Sequence, residues 1–145
     1  MRRLARWLRP GRRRDQRGSA TVFILGFATV LMVGAGLVID GGLALNKRSQ
    51  VTDDAEQAAR TGANSIDLDA LRSRGELVVN AAEASAVATD FLSARGYTNI
   101  SVTVDGNEVS TSAEATVDTA ILSLVGIGSF TVQGEATATP ETGIG

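Results

Sequence analysis

The residues that could do chemistry in this sequence are its carboxylates, because the chain contains no Cys and no His. Their absence removes thiol nucleophiles, thiolate zinc sites, and the commonest general base and metal ligand. The densest acidic group is Asp53, Asp54 and Glu56. On a helix Asp53 and Asp54 diverge by about 100°, which favours a solvated surface over a metal site. With no nucleophile–base pair or paired carboxylates in the pattern, we expect no catalytic residue, metal, cofactor or small-molecule substrate.

The elements that carry these residues differ strongly in charge. Eight of the 14 basic residues lie within the first 17 positions, beside one acid, Asp15. From Asp40 onward there are 15 acids and six bases. Between the two lies an uncharged run of 22 residues, 18–39, that is rich in Val, Leu, Ile, Phe, Ala and Gly. The sequence therefore predicts a basic segment and an acidic domain joined by an apolar helix.

The apolar run has the length of a transmembrane helix. At about 1.5 Å per residue it reaches about 33 Å, which covers a hydrocarbon core of about 30 Å. The positive-inside rule places the basic leader, 1–17, in the cytoplasm and residues 40–145 outside the membrane. The arginines nearest the apolar run, expected to fix this topology, are Arg12, Arg13, Arg14 and Arg17. We expect a single-pass protein of the cell membrane.

Two other interpretations of the N-terminal region are less favoured. A cleavable signal peptide has an apolar core of roughly 7–15 residues, shorter than the 22 found here; its removal would leave a secreted binding module. Nucleic-acid binding would use the arginines, but interleaved aromatic residues and a binding fold are missing from the pattern. We therefore expect the lipid bilayer, and no nucleic acid, as the partner of this region.

Helical spacing resumes after Asp40 and predicts a helix extension over 40–62. A narrow stripe of small apolar residues on this extension permits close backbone approach to a neighbouring helix or sheet. The stripe includes Val51, Ala55, Ala58 and Ala59. Gly34 and Gly41, seven residues apart on one face, offer a second helix-packing surface inside the membrane. The adjacent Gly41 and Gly42 weaken the helix by roughly 1 kcal/mol each relative to Ala, which suits a bend or a close contact.

Residues 63–145 are predicted to form a small α+β domain outside the membrane. The spacing of Asn80 and Glu83 is typical of a helix N-terminus, and Gly96 of a helix end. Residues 62–75 are rich in turn formers, with Asp67 and Asp69 as candidate caps.

Three strands follow in the pattern. Apolar residues alternate on either side of the turn Asp105-Gly106-Asn107 and predict a hairpin, and a third strand is predicted over 130–138. The fold class is therefore α+β: a long N-terminal transmembrane helix that extends outward, a second helix, and a small three-stranded antiparallel sheet. The almost wholly apolar run 120–127 is too short to cross a bilayer. It could cover the sheet, touch lipid or meet a partner.

Three motifs in the N-terminal half resemble the TadE/TadG-like proteins of tight-adherence (Flp) pilus-assembly systems. They are Arg17-Gly18-Ser19-Ala20-Thr21-Val22, Gly36-Leu37-Val38-Ile39-Asp40-Gly41-Gly42 and Ala55-Glu56-Gln57-Ala58-Ala59-Arg60. The stretch from Leu122 through Gly128-Ser129 to the last strand looks similar to the short members of that family. The resemblance implies a pilin-like architecture and a minor pilin or pseudopilin, a membrane-bound accessory whose partners are other pilus-assembly or pilin-like membrane proteins. Asp40 and Gly42 match the family's D-x-G pattern at the membrane edge, for which a packing or bending role is expected.

The sequence departs from prepilin-type leaders at one position. Such leaders end in Gly, with Glu five residues into the mature chain. Here Gly18 would be the leader Gly and Ser19 the first mature residue, but the fifth following residue is Phe23. We therefore expect little processing at Gly18. The alternative to a pilus-assembly role is a secreted or membrane-anchored extracellular binding module unrelated to pili.

Overall fold

The computed structural model describes residues 16–140, so residues 1–15 of the basic leader, including Arg12, Arg13 and Arg14, lie outside the described residues. The elements, in chain order, are α1 (Gln16–Ala63), α2 (Leu68–Arg74), α3 (Ala81–Ser93), β1 (Thr98–Asp105), β2 (Glu108–Asp118), a 3-10 helix (Leu122–Val125) and β3 (Ser129–Ala138). This order confirms the predicted α+β class with a long N-terminal helix and a three-stranded antiparallel sheet.

Helix α1 is a single helix of 48 residues, so it is about 72 Å long at 1.5 Å per residue. It continues without interruption through Gly41 and Gly42. Among the described residues it is the helix that is long and apolar enough to cross a membrane. The predicted apolar helix and its predicted extension are therefore one element.

The sheet has the strand order β1-β2-β3, with each neighbouring pair antiparallel. The predicted hairpin register is confirmed, because Val102 pairs with Thr111 and Val104 with Val109. The side chains that alternate toward one face of β2 are buried, among them Val109, Thr111 and Ala113. This face packs on α1, and the opposite face carries exposed or half-buried Ser, Thr and acidic residues.

The second half of α1 supplies much of the domain core. The small apolar stripe is fully buried, and Gly62 and Ala63 at the end of the helix are buried as well. The stripe residues are Val51, Ala55, Ala58 and Ala59. Val51 and Ala58 pack with Ala88 and Leu92 of α3, with Tyr97, and with the β2 residues Ala113 and Ala115. Because small side chains leave little distance between backbones, the sheet and α3 lie directly against α1.

Gly134 of β3 marks the closest of these backbone approaches. A Cβ atom on Gly134 would lie 2.5 Å from the backbone nitrogen of Thr52 and 2.7 Å from the carbonyl carbon of Val51. These are backbone atoms of α1, so they cannot move aside as a flexible side chain would. Beside this contact, the Thr111 hydroxyl donates a buried hydrogen bond of 2.7 Å to the Ala55 carbonyl oxygen. At Gly134 the backbones of strand and helix are therefore in direct contact, with the Thr111 hydrogen bond beside them.

The helix ends follow the expected chemistry with two differences. The side chain of Asn80 accepts a hydrogen bond from the Glu83 N–H and caps α3, as predicted. The region predicted as turns contains the helix α2, which Asp67 caps by accepting from the Asp69 and Ala70 N–H groups. Helix α3 ends at Ser93 with Ala94 as its cap residue, so Gly96, with φ of 77°, lies beyond the position expected for it.

Replacing Gly134 by Ala tests the contact between helix and sheet. The new methyl group would overlap the α1 backbone, and overpacking of a core costs about 1–3 kcal/mol or more. We expect Gly134→Ala to lower the thermal midpoint of the detergent-solubilised protein by more than about 10 °C. Circular dichroism measures this transition.

Gly128→Ala is the matched control for this substitution. Its Cβ would have no atom within 4 Å and its φ is not positive. We expect this variant to melt within a few degrees of the unmodified protein. Equal melting of the two variants would contradict the proposed close contact.

Candidate functional site around Asp40

Asp40 is the one fully buried carboxylate among the described residues, with 1% of its surface exposed. It lies on α1 directly after the uncharged run, and its partners are 80 or more residues further along the chain. The Ala120 N–H donates to Oδ1 at 2.9 Å, and the Leu122 N–H donates to Oδ2 at 2.7 Å. The Ile121 N–H lies between the two oxygens, at 3.3 Å and 3.0 Å. Both carboxylate oxygens are therefore held by backbone donors.

The 3-10 helix Leu122–Val125 begins at these donors, since Leu122 is its first residue, Ile121 is its cap residue and Ala120 precedes the cap. The first N–H groups of a helix have no partner within it, and they favour a negative charge. Burial of an unpaired carboxylate is costly. This interaction gives the Asp40 carboxylate its hydrogen-bond donors and gives the N–H groups of the loop their acceptor. The D-x-G aspartate thus joins α1 to the β2–β3 connection, where the sequence had suggested a packing or bending role.

The hydrogen bonds determine the pKa of Asp40. The bond from the Leu122 N–H lowers the pKa of this carboxyl most, burial opposes it by raising the pKa, and the bonds from Ala120 and Ile121 lower it further. The net pKa is below the ordinary value of 3.8. The carboxyl is therefore an anion at neutral pH, which is the form that can accept from all three N–H groups.

Gly36 brings the same loop against α1 one helical turn before Asp40. A Cβ atom on Gly36 would lie 2.9 Å from Ile121 Cγ2 and 3.1 Å from Leu122 Cδ2. Gly36 and Asp40, four residues apart, share one face of the helix. A side chain at position 36 would therefore displace the side chains of Ile121 and Leu122, which pack on the helix at this point.

The β2–β3 connection, residues 119–128, closes on itself at its base. The Thr119 N–H donates to the Gly128 carbonyl at 3.0 Å, and the Thr119 hydroxyl donates to the Ile127 carbonyl. Leu122 is buried against α1, whereas Leu124, Val125 and Ile127 are exposed by 72%, 44% and 45%. The connection is therefore an ordered loop with an apolar outer surface.

The predicted helix-packing residues lie on two different surfaces. Ala55, Ala58 and Ala59 are buried within the domain core. At Gly34, Gly41 and Gly42, no atom of another element among the described residues lies within 4 Å of a Cβ position. Gly34 and Gly41 share a face rotated by roughly 130° from that of Gly36 and Asp40, so they are open to contacts outside the chain.

Gly41 also lines a groove of about 700 Å³ between α1 and β3. Leu37, Val38 and Leu45 line its helix side, and Phe130 and Val132 line its strand side. The groove therefore continues the face of Gly34 and Gly41 beyond the uncharged run as an apolar surface.

The acidic group at Asp53, Asp54 and Glu56 is divided by the fold. Asp53 and Glu56 are exposed, and Glu56 pairs with Arg60 as its spacing on the helix favours. Asp54 is half-buried, which corrects the expectation of a fully solvated face, because residues after α3 fold over it. Tyr97 Oη donates to Asp54 Oδ2 at 2.6 Å, and Arg95 Nε lies 3.1 Å from Asp54 Oδ1. Burial, followed by the contact with Asp54, raises the pKa of Tyr97 to about 12.

The candidate leader junction lies in the first turns of α1. Gly18 and Ser19 are helical, and Phe23 is 72% exposed with its ring stacked on that of Phe27 at a centroid distance of 6.2 Å. Arg17 is in the helix backbone, in the first turn. Processing at Gly18 and the topological role of the arginines stay predictions.

Sequence reasoning missed the partner of Asp40 and the role of Gly36. The available signal was an aspartate directly after the apolar run 18–39, together with a second, shorter apolar run at 120–127. If the two runs pack together, the carboxylate is buried and requires hydrogen-bond donors. The identity of these donors depends on a contact across 80 residues, which local patterns do not encode.

Comparison with known proteins bears on α1. Residues 18–65 match the family model described as putative Flp pilus-assembly TadE/G-like. The match confirms the resemblance over the long helix and its first following residues, including Gly36 and Asp40, and it does not extend to the sheet. Neither the curated proteins nor the solved structures gave a significant match.

Replacing Asp40 by Asn removes the charge and one acceptor while keeping the shape. Leaving buried N–H donors without an acceptor costs about 1–3 kcal/mol. We expect hydrogen exchange at the amides of residues 120–122 to accelerate about ten- to hundred-fold in Asp40→Asn. Asp53→Asn, an exposed acid on the same helix, is the control and should leave this exchange unchanged. Unaltered protection in Asp40→Asn would contradict the role given to the carboxylate.

The lowered pKa of Asp40 gives this contact a pH dependence. A carboxyl whose pKa is lower in the folded state contributes stability above its unfolded pKa, and this contribution is lost as the pH falls through the folded value. We expect protection factors at residues 120–122 to be constant from pH 7 to pH 5 and to decrease below about pH 3.8. In Asp40→Asn the corresponding acid-dependent decrease should be absent. A decrease that is identical in both proteins would assign it to other carboxyls.

Proposed function

We propose that this protein is a single-pass membrane component of an Flp-type pilus-assembly system, and that it acts structurally as a minor pilin or pseudopilin. Residues 40–145 lie outside the membrane in this proposal and the basic leader, 1–17, lies in the cytoplasm. The family match to residues 18–65 is the observation that carries the assignment. It coincides with the helix that is long and apolar enough to span a bilayer.

The exposed surface of α1 supports a role in membrane packing. Its apolar side chains between positions 22 and 45 are largely exposed, for example Phe23 by 72%, Leu31 by 56% and Leu37 by 63%. Exposing apolar surface to water costs about 25 cal/mol of free energy per Å². Lipid and partner helices are the surroundings in which this surface is stable.

The orientation rests on the distribution of basic residues. Eight precede the apolar run, whereas Lys47, Arg48 and Arg60 are the nearest basic residues that follow it. The rule that basic residues are retained in the cytoplasm therefore favours an N-terminus inside and the sheet outside.

The face of Gly34 and Gly41 is the surface we propose for a partner helix. Small residues allow helices in lipid to approach closely, and van der Waals packing then replaces the hydrophobic effect as the driving force. The adjoining groove beside Phe130 and Val132 would receive the part of the partner that extends out of the membrane. No charged side chain other than Arg48 lines this groove, which suits an apolar partner surface.

Leucine substitutions on this face test the proposal. In the organism that assembles the pilus, Gly34→Leu and Gly41→Leu should each reduce surface pili several-fold, because the added side chains separate the two helices. Both variants should remain resistant to carbonate extraction and keep a carboxyl-terminal region accessible to protease from outside. Pilus shearing followed by immunoblotting measures the output.

Ala28→Leu is the control on the same apolar segment, and it lies away from the proposed face. It should leave pilus output unchanged. Normal output in Gly34→Leu and in Gly41→Leu would remove the packing surface from the proposal. Extraction of the unmodified protein by carbonate would remove the membrane assignment itself.

A further inference from the structure

The strongest unexplained feature is the apolar outer surface of the loop between β2 and β3. Leu124, Val125 and Ile127 are exposed although the loop is ordered and closed by the contacts of Thr119. From Thr119 to Gly134 the chain contains no charged residue. An exposed apolar patch rimmed by polar residues marks an interaction surface.

The position of the loop along α1 identifies its surroundings. Strand β2 runs toward the apolar end of the helix, since Thr111 contacts Ala55 and the next connection contacts Asp40 and Gly36. The loop is therefore the part of the sheet closest to the uncharged run. Gly36 lies within that run, one turn before its end at position 39.

We propose that the loop 121–127 inserts its exposed apolar side chains into the outer interface of the lipid bilayer beside α1. This inference rests on the membrane-spanning role proposed for α1. The loop is held at Gly36 by packing and at Asp40 by hydrogen bonds from three N–H groups. Because these residues lie at the end of the uncharged run, the loop lies at the level where the acyl chains meet the headgroups. Apolar side chains at that depth remove their surface from water without having to cross the membrane.

Lipid explains the features of the loop better than a protein partner does. The uncharged stretch extends over 16 residues, from 119 to 134, and it adjoins the exposed apolar surface of α1. The carboxylate of Asp40 is enclosed by the loop, so the first charge after the outer end of the uncharged run is shielded from lipid. The loop thus gives the protein two contacts with one leaflet, which fixes the tilt and rotation of the sheet relative to the membrane.

Depth-dependent quenching tests the inference in the full-length protein. The protein is reconstituted in phosphatidylcholine/phosphatidylglycerol vesicles that contain phosphatidylcholine brominated at the 6,7 or the 11,12 positions of one chain. The single Trp, Trp7, is replaced by Phe, and one Trp is introduced at Leu124, which is exposed and therefore tolerant of the change. We expect Leu124→Trp to be quenched at least two-fold, and more strongly by the shallower 6,7 bromines.

Two reference variants separate failure of this inference from failure of the membrane assignment. Phe23→Trp reports the helix, and Thr103→Trp reports the exposed outer face of β1. Quenching of Phe23→Trp without quenching of Leu124→Trp would overturn the loop inference while the membrane-spanning role stands. Absence of quenching in both would overturn both. Equal quenching of Thr103→Trp and Leu124→Trp would also overturn the loop inference, because the loop would then lie no deeper in the bilayer than the outer face of β1.

Discussion

The buried carboxylate of Asp40 is the interaction on which the arrangement of helix and sheet depends. A buried charge is tolerated when hydrogen bonds replace the water that it loses. Here three consecutive N–H groups do so, from Ala120, Ile121 and Leu122. Without this acceptor, the N–H groups of Ile121 and Leu122 would be unsatisfied at the start of the 3-10 helix, as would the Ala120 N–H just before it. The carboxylate therefore avoids the free-energy cost of being buried without donors, and the N–H groups avoid that of being buried without an acceptor. Both conditions are met in one position of the loop on α1.

The close approach of backbones is the second constraint, and it acts along the remaining length of the contact. Within residues 16–140, three glycines occupy positions where a Cβ would meet atoms of a neighbouring element, namely Gly36, Gly62 and Gly134. Alanines fill the helix side of the interface. A core of small residues buries little apolar area per residue, so such a domain needs a long contact with α1 to be stable. This explains why the core of the sheet domain includes the second half of the helix and is not a separate unit.

Local patterns predicted much of this fold, because the features concerned depend on neighbours in sequence. The alternation in β1 and β2 determined the hairpin register, and Asn80 was identified as a helix cap from its spacing to Glu83. The helix α2 was missed, since its seven residues are too few to show a period. The partners of Asp40, the half-burial of Asp54 and the place of Gly134 opposite Val51 and Thr52 could not be predicted. Each is a contact between distant segments, and its chemistry is visible only once the sheet is placed on the helix.

The division of α1 into faces determines how a partner could bind. The face of Gly36 and Asp40 is occupied by the loop of the same chain. The face of Val51, Ala55 and Ala59 is occupied by the sheet and α3. In the proposed orientation, the surface left for another helix runs from Gly34 past Gly41 into the groove beside Phe130. Because the loop and strand β3 border this surface, a partner that packs there would meet the helix and the sheet at once. The contact at Asp40 holds the helix and the loop in one relative position.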